Sequence, residues 1–494
     1  MSFGMSGATK LIGEQAWTSD EISPDRTAFV LDGEVITFGQ FDSDVDAAVT
    51  LMRRAGVGPG KTIAIHFGGL VHDRPYEEWV AHLAAMRLGA VHATIVDQTG
   101  MDLVAGRIDA VVGTPLETSP VPVVVITRAA LAAVSDGEAL DLSTAPDPAR
   151  GARLNLTSGT TGSAKLVRWD AAMIAARVAQ AGEAEFINAD ARLYTVFSPR
   201  VTAGFRYPLA AWAAGGCVRI QTKPGKTPIA PAAVDDSTLF VCSPLQLERE
   251  LVLKKTTWPG RDSRVILCVG GRVPAAVRDR ALAIAGSQVL IGYGSTETGN
   301  IATGDARLVD RHPGAIGRVR DGVTVEVVDA SGKSLPSGTV GRIRVKSPIM
   351  VKGYDNAGGE AERVGLIDGW FYPGDLGLLL DDGVLAIEGR DGDIVNLGGV
   401  KVAMPAIEEK VRAMPDIADA CACVLHTSSG DRLVFAVVCD DATFAKIGER
   451  VGAALGPVNY PFNVTRLARI PRNAMGKVPR LQLARQLAQQ LTKA

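Results

Sequence analysis

Between Leu156 and Lys165 the chain reads LTSGTTGSAK, two glycines set among threonines and serines and closed by one lysine. Glycines let successive backbone N–H groups turn inward as an anion-binding nest, hydroxyls add donors, and a lysine brings a mobile positive charge. Such a loop suits a di- or triphosphate. A Walker-type phosphate loop would run from Gly-Lys straight into Ser or Thr and a helix. Here Lys165 is followed by the strand-like run Leu166 to Trp169, and a helix is expected only from about Asp170. By itself the stretch reads equally well as a Ser/Thr/Gly surface turn.

Four later segments change that balance: GYGSTETG (Gly292 to Gly299), GWFYPGDLG (Gly369 to Gly377), IEGRDGD (Ile387 to Asp393) and PRNAMGKVPR (Pro471 to Arg480). With the loop, and in this order, they resemble the adenylate-forming superfamily of acyl-CoA synthetases, peptide-synthetase adenylation domains and luciferases, in outline most like its stand-alone AMP-dependent acid ligases. The resemblance spans Thr157 to Arg480, while the part before the loop agrees only in αβ character. Weaker signals are Gly270-Gly271, the run GRIRVKSPIMVKGY ending at Tyr354, and Pro405 to Glu408.

The resemblance implies ATP and Mg2+ as cofactors and a small-molecule carboxylic acid as substrate. It assigns Thr157, Ser158, Gly159, Thr160, Thr161, Gly162 and Lys165 to the triphosphate, with Thr157 and Lys165 counted as catalytic. Glu297 would hold magnesium, and a carboxylate is a hard oxygen ligand suited to that ion. Gly270, Gly271, Tyr293 and Gly294 would line the adenine, with Ser295 and Thr296 in the same nucleotide site. Asp375 would accept from both ribose hydroxyls, work an ionised carboxylate does well because it only accepts. Arg390 would lie near that ribose and mark a hinge. Many relatives carry Asp or Lys two residues after this arginine; this chain has Gly392, so the pivot is assigned to Gly392 and Asp393. Lys477 resembles the mobile catalytic lysine of the C-terminal domain. A carboxylate attacking the α-phosphate brings two anions together, and a bridging cation is worth most in a closed, water-poor site.

One departure concerns the acyl pocket. Many relatives place a His soon after an aromatic residue in the segment that here reads FSPRVTAGFRYPL (Phe197 to Leu209), and this segment has none. Arg200 or Arg206 could face the pocket and pair with a polar or anionic group on the substrate; the alternative is a surface or ion-paired arginine. The expected reaction is formation of acyl-AMP and pyrophosphate, then rotation of the C-terminal domain and acyl transfer to coenzyme A. Transfer to an amine or to a carrier-protein thiol is the second reading, and a non-catalytic nucleotide- or acyl-binding regulator the third.

The elements that must position these residues are legible as an αβ alternation. Strand-like runs at Thr27 to Leu31, Val35 to Phe38, Thr62 to Phe67, Val91 to Val96, Ala110 to Val112 and Val121 to Ile126 alternate with apolar helical stretches, as in a parallel sheet covered on both faces. The rhythm returns with strands at Thr238 to Cys242, Val265 to Val269 and Val289 to Tyr293, and helices at Pro244 to Leu253 and Pro274 to Ala285. From about Asp321 short alternating strands between Gly, Asp and Ser turns suit an antiparallel or barrel-like subdomain. The expected fold is therefore α/β: a large N-terminal domain over 1–388, a hinge region over 389–399, and a small α+β domain over 400–494, which the resemblance implies is mobile.

Composition agrees with several packed domains: 494 residues, 47% hydrophobic and 21% charged. Lys plus Arg is 52 against 54 Asp plus Glu, which leaves no basic field for nucleic acid. No apolar run reaches the ~18 residues that would span a bilayer, and the opening MSFGMSGATK lacks a signal-peptide layout, so a cytoplasmic placement is expected. The six cysteines form no CxxC pair and the six histidines no metal spacing. Cys421 and Cys423 are spaced for one face of a strand, as buried structural thiols.

Overall fold

The computed structural model describes residues 22–68, 74–95, 98–104, 106–114, 119, 121–134, 151–158, 164–184, 186–220, 236–253, 256–312, 314–355, 361–362, 365–390, 394–397, 400–427, 430–455, 462–472 and 478–491. They fall into two compact units, one of Met1–Leu308, Arg320–Val323 and Lys346–Phe371, the other of Val309–Val319, Thr324–Val345 and Tyr372–Ala494. No helix among the described residues is long and apolar enough to cross a membrane.

The first unit opens with the hairpin of β1 (Thr27–Leu31) and β2 (Glu34–Thr37) and the helix α1 (Phe38–Arg54). The Asp32-Gly33 turn needs positive φ at both positions, 50° and 93°, which an Asp-Gly pair tolerates. Alternation alone would keep Phe38 in the strand. Instead Gln40 N donates to Thr37 Oγ1 (3.2 Å) and Thr37 N to Gln40 Oε1 (2.9 Å), and this capping box starts the helix at Phe38.

Strands β3 (Thr62–His66), β4 (Val91–Thr94), β5 (Ala110–Gly113), β6 (Val123–Val124), β7 (Ala152–Ser158) and β8 (Ala164–Asp170) form one sheet in the order β6-β5-β3-β4-β7-β8. It is parallel but for the antiparallel β7–β8 edge pair. Strands β9 (Arg192–Thr195), β10 (Cys217–Ile220), β11 (Leu239–Cys242), β12 (Val265–Val269), β13 (Gln288–Ser295) and β14 (Gly299–Asp305) continue from β1 in the order β2-β1-β10-β9-β11-β12-β13-β14. Their central members are near-continuous apolar runs, buried on both faces.

Two helices in this unit are buried on nearly every side. In α2 (Pro75–Arg87) all but one residue is buried, and in α4 (Thr202–Ala213) only Thr202 is not. A helix apolar all round belongs to a core. Trp79 of α2 stacks on Phe205 of α4 with centroids 5.6 Å apart and meets Trp212 edge-on at 4.9 Å. At Gly204 an added Cβ would lie 2.1 Å from the Ser198 carbonyl oxygen, so only glycine lets α4 start this close to the chain before it.

The same core holds buried charge. Arg200 donates to Glu78 Oε1 (3.3 Å) and to the Gly68 carbonyl (3.0 Å). Arg153 of β7 lies over the Phe205 ring at 3.8 Å and donates to Asn155 Oδ1 (2.8 Å). Burial pushes the Glu78 carboxyl above its usual range against the pull of Arg200, and brings Arg153 down to about 9. His82 and His92 beside them are kept neutral, first by desolvation and then by Arg153, with His92 held near 3.

In the second unit the strands Ala315–Val319, Val384–Arg390, Asp375–Leu379 and Gly341–Lys346 pair antiparallel in that order, and Thr324–Val328 joins the last. Its C-terminal part is a sheet of Asp419–Thr427, Gly430–Val438 and Phe462–Arg466. Alternation divides this sheet cleanly. Ala420, Ala422, Leu433, Phe435 and Val437 pack under the helices Met404–Arg412 and Ile447–Leu455, while Cys421, Cys423, Leu425, Val434 and Ala436 pack under Arg480–Leu491. Both thiols are buried and neither forms a disulfide, as their spacing suggests.

Candidate active site

The glycine- and hydroxyl-rich turn joins the two strands of an antiparallel hairpin, with Thr157 opposite Lys165 and Ser158 opposite Ala164. Strand β8 runs to Asp170, whose carboxylate accepts from Met173 N (2.7 Å) and caps α3 (Ala171–Gly182). A helix does not follow the lysine directly, which sets this hairpin apart from a Walker loop. Thr157 and Ser158 are described as strand backbone; Gly159, Thr160, Thr161 and Gly162 lie outside the described residues.

GYGSTETG is also a hairpin. Strand β13 extends to Ser295 because β14 pairs back on it, a strand that the turn-rich sequence hides. Gly294 faces the backbone of Gly299 so closely that an added Cβ would sit 2.1 Å from its carbonyl oxygen. In the tip, Ser295 Oγ accepts from the N–H groups of Glu297 and Thr298 (3.2 Å each).

Arg177 of α3 holds this tip from below. Its guanidinium donates to the carbonyls of Thr296 (2.9 Å), Glu297 (3.0 Å) and Ile349 (2.8 Å) and lies 4.2 Å from the Trp169 ring. Trp169 Nε1 shares the Thr296 carbonyl at 3.1 Å, and Val351 N the Glu297 carbonyl at 2.9 Å. Burial, aided by Arg206, brings Arg177 down to about 9. Sequence reasoning missed this residue; the signal was a cation at helical spacing with Ile174, Val178 and Ala181, on the face that must be buried.

The tip's carboxylate, Glu297, is half-buried. Its Oε1 accepts from the Tyr354 hydroxyl (2.9 Å), and Oε2 has no hydrogen-bond partner among the described residues. The Lys165 ammonium lies 4.6 Å from the Tyr354 ring centroid. One tyrosine therefore links the lysine of the first hairpin to the carboxylate of the second. A carboxylate with a hard oxygen to spare, fixed in orientation by a hydroxyl, fits a magnesium ligand.

Strands β12 and β13 are parallel neighbours with Val269 opposite Gly292. Gly270 and Gly271 thus leave one strand beside the point where Tyr293 and Gly294 continue the other. Ligands of open αβ sheets bind outside such carboxyl ends. Gly270 takes a φ of +87°, and Gly271 is exposed.

In the second unit Asp375 and Arg390 are register partners on adjacent strands, and Arg390 Nε lies 3.2 Å from Asp375 Oδ1. Asp375 is buried and Arg390 exposed, so the acid is oriented by a cation that water screens. Gly392, Asp393 and Lys477 lie outside the described residues. The chain on either side of Lys477 is firmly tied. Arg472 donates to both oxygens of Asp419 (2.9 and 2.7 Å), and Arg480 to both oxygens of Glu408 and to the Ala422 carbonyl. Burial alone would raise the Glu408 carboxyl, but Arg480, the Ala422 N–H and Arg412 hold it below its usual range.

The two arginines expected at the acyl pocket occupy different surroundings. Arg200 is ion-paired with Glu78 inside the core. Arg206, on α4, lines a cavity of about 60 Å³ between α3, α4 and β14. Four residues before it, Thr202 Oγ1 meets Thr296 Oγ1 at 3.0 Å, which ties α4 to the tip that carries Glu297.

A family model described as AMP-binding enzyme matches residues 16–355. Among curated proteins the chain is similar to indoleacetate–CoA ligase of Aromatoleum aromaticum, 28% identical over 65% of this chain and 64% of that one. It is also similar to medium-chain fatty-acid–CoA ligase of Escherichia coli, 29% identical over 46% and 42%. These matches span less than two thirds of either relative's length. Among solved structures, ATP-bound MatB from Rhodopseudomonas palustris superposes with a TM-score of 0.82 at 23% identity, covering 97% of this chain and 99% of that one. The fold is thus the two-domain α/β architecture expected from the sequence.

Proposed function

The chain belongs to the AMP-binding enzyme family, and from that premise we propose that it activates a carboxylic acid with ATP to acyl-AMP and pyrophosphate and then transfers the acyl group to coenzyme A. The observation that carries this reading is the link Lys165–Tyr354–Glu297, which ties the stem of the hydroxyl-rich turn to a carboxylate with a free oxygen. A triphosphate bound at that turn needs a cation for its charge and a carboxylate to hold its metal, and both side chains converge on one tyrosine ring.

In this reading Glu297 would hold magnesium, whose charge would offset that of the phosphates. Lys165, with the turn that contains Thr157, receives the phosphates. Gly270, Gly271, Tyr293 and Gly294 line the adenine at the strand ends, and Asp375, oriented by Arg390, accepts from the ribose hydroxyls. Lys477 supplies the cation for the approach of carboxylate to α-phosphate. The ties at Arg472 and Arg480 support its belonging to a small separate domain over 400–494, reached through a hinge at 389–399 with its pivot at Gly392 and Asp393. We take the enzyme to be magnesium-dependent and cytoplasmic.

The test is acid-dependent pyrophosphate exchange. Lys477→Ala should abolish exchange while sparing thioester formation from supplied acyl-adenylate. Equal loss of both half-reactions would contradict the two-step scheme, and product formed with amines in place of coenzyme A would move the acceptor to the amide-forming reading.

A further inference from the structure

Arg206 is 7% exposed and lines the cavity described above with Tyr207, Gln180, Asn300, Thr303 and Arg320. Its Nη2 donates to Tyr207 Oη (3.1 Å), its Nε has no hydrogen-bond partner, and no carboxylate among the described residues pairs with it. Its neighbours are already committed. Arg320 is paired with Glu183, Gln180 exchanges hydrogen bonds with the backbone of Asn300, and Asn300 Nδ2 donates to Thr303 Oγ1 (2.8 Å). A buried guanidinium without an anion is an expensive thing to fold around unless something arrives to complete it.

The position of this cation relative to the reacting end follows from the helix. Thr202 touches Thr296, next to Glu297, and Arg206 is four residues further along the same helix face, about 6 Å along the axis. A cavity of about 60 Å³ would be filled by several ordered waters, which is room for a small polar group beside Arg206.

Resting on the adenylation reading above, we propose that the acid is short and carries a second carboxylate at its far end, received by Arg206 as a charge-assisted pair. Arg200, spent on Glu78, takes no part in it.

The experiment measures pyrophosphate release with unbranched dicarboxylic acids and with monocarboxylic acids of equal chain length, and follows thermal unfolding with each acid alone. The wild-type protein should prefer the diacid by about 10- to 100-fold in kcat/KM, and the diacid alone should raise its unfolding temperature more than the monoacid does. In Arg206→Gln the diacid-to-monoacid ratio should fall towards one, while Arg206→Lys keeps a preference of the same sign. Equal or better use of monoacids by the wild type overturns the proposal, whether or not Arg206→Gln folds. Release with no acid of any kind overturns the adenylation reading and this inference with it, whereas release without a diacid preference overturns the inference alone.

Discussion

Replacing Arg177 by Met tests whether the tip that carries Glu297 is held from beneath. The side chain is 1% exposed and makes three hydrogen bonds to carbonyls. Bonds from a charged donor are each worth about 1.5–3 kcal/mol, so the three would contribute roughly 5–9 kcal/mol if each counted in full. Burial and the neighbouring Arg206 work against the guanidinium, bringing its pKa down to about 9, and exchanging a buried charge for an apolar side chain of similar volume is often close to neutral. Methionine fills much of the same volume, and Thr296 and Glu297 keep second partners in Trp169 and Val351. Only the Ile349 carbonyl loses its sole described partner, which costs about 1–3 kcal/mol. The expected loss in urea unfolding is therefore about 2 kcal/mol, far below the sum of three bonds. Function should suffer more than stability, because the tip then relaxes around Glu297. Magnesium-dependent pyrophosphate exchange should fall at least about tenfold at temperatures where the variant is fully folded. Unchanged exchange at saturating and at limiting magnesium would refute the reasoning, as would a stability loss near the full sum.

Three further outcomes follow from the same structure. Gly294→Ala puts a methyl 2.1 Å from the Gly299 carbonyl oxygen, where only backbone movement can relieve it; thermal unfolding should show about 1–3 kcal/mol lost, and an unshifted transition would contradict the hairpin's closeness. His92 is neutral in the fold down to about pH 3 but titrates at 6.5 when unfolded, so between those values the unfolded chain binds the extra proton and stability falls with pH by about 1.4 kcal/mol per unit. Glu78 acts in the opposite sense above 4.5 but is common to wild type and His92→Phe, so their urea midpoints at pH 7 and pH 5 isolate the histidine; parallel shifts would contradict it. Arg480→Gln leaves the buried Glu408 with Arg412 and the Ala422 N–H, and hydrogen exchange of Asp419–Thr427 should report about 2–4 kcal/mol lost; unchanged protection would contradict the role of the pair.

What could be read in advance depended on how far apart the partners lie. The strand after Lys165 and the helix that follows it were legible because the strand-like run to Trp169 and the cap at Asp170 are local signals; the pairing with β7 that makes a hairpin was not. The alternation that buries Cys421 and Cys423 was legible as well. Strand β14 was not, since GNIATGD has too little apolar pattern to announce a strand, and only pairing with β13 makes it one. Arg200 and Glu78 are 122 residues apart, and no spacing rule shows that a buried acid waits for that arginine rather than for Arg206. The Tyr354 hydroxyl on Glu297 and the Arg177 clamp are likewise products of chain paths that meet only after folding. Glu297 and Asp375 were singled out through their motifs, while the side chains that hold them belong to no motif.

The pairing of β1 with β10 sets a schedule for the protein's birth on the ribosome. Phe29 is a register partner of Val218, so about 190 residues must be made after it before its parallel neighbour exists, roughly 10–40 s at ordinary translation rates. Through that interval β2 is the described strand beside β1, and Phe41 of α1 and Tyr76 cover only part of Phe29. Trp212, whose indole N–H donates to the Ala28 carbonyl (2.7 Å) and whose ring stacks on Phe29, is made about as late as β10, so the edge and face they close stay available to chaperones until then. Slowing translation just before Cys217 should lengthen the capture of nascent chains by holdases, whereas slowing it after Ile220 should not.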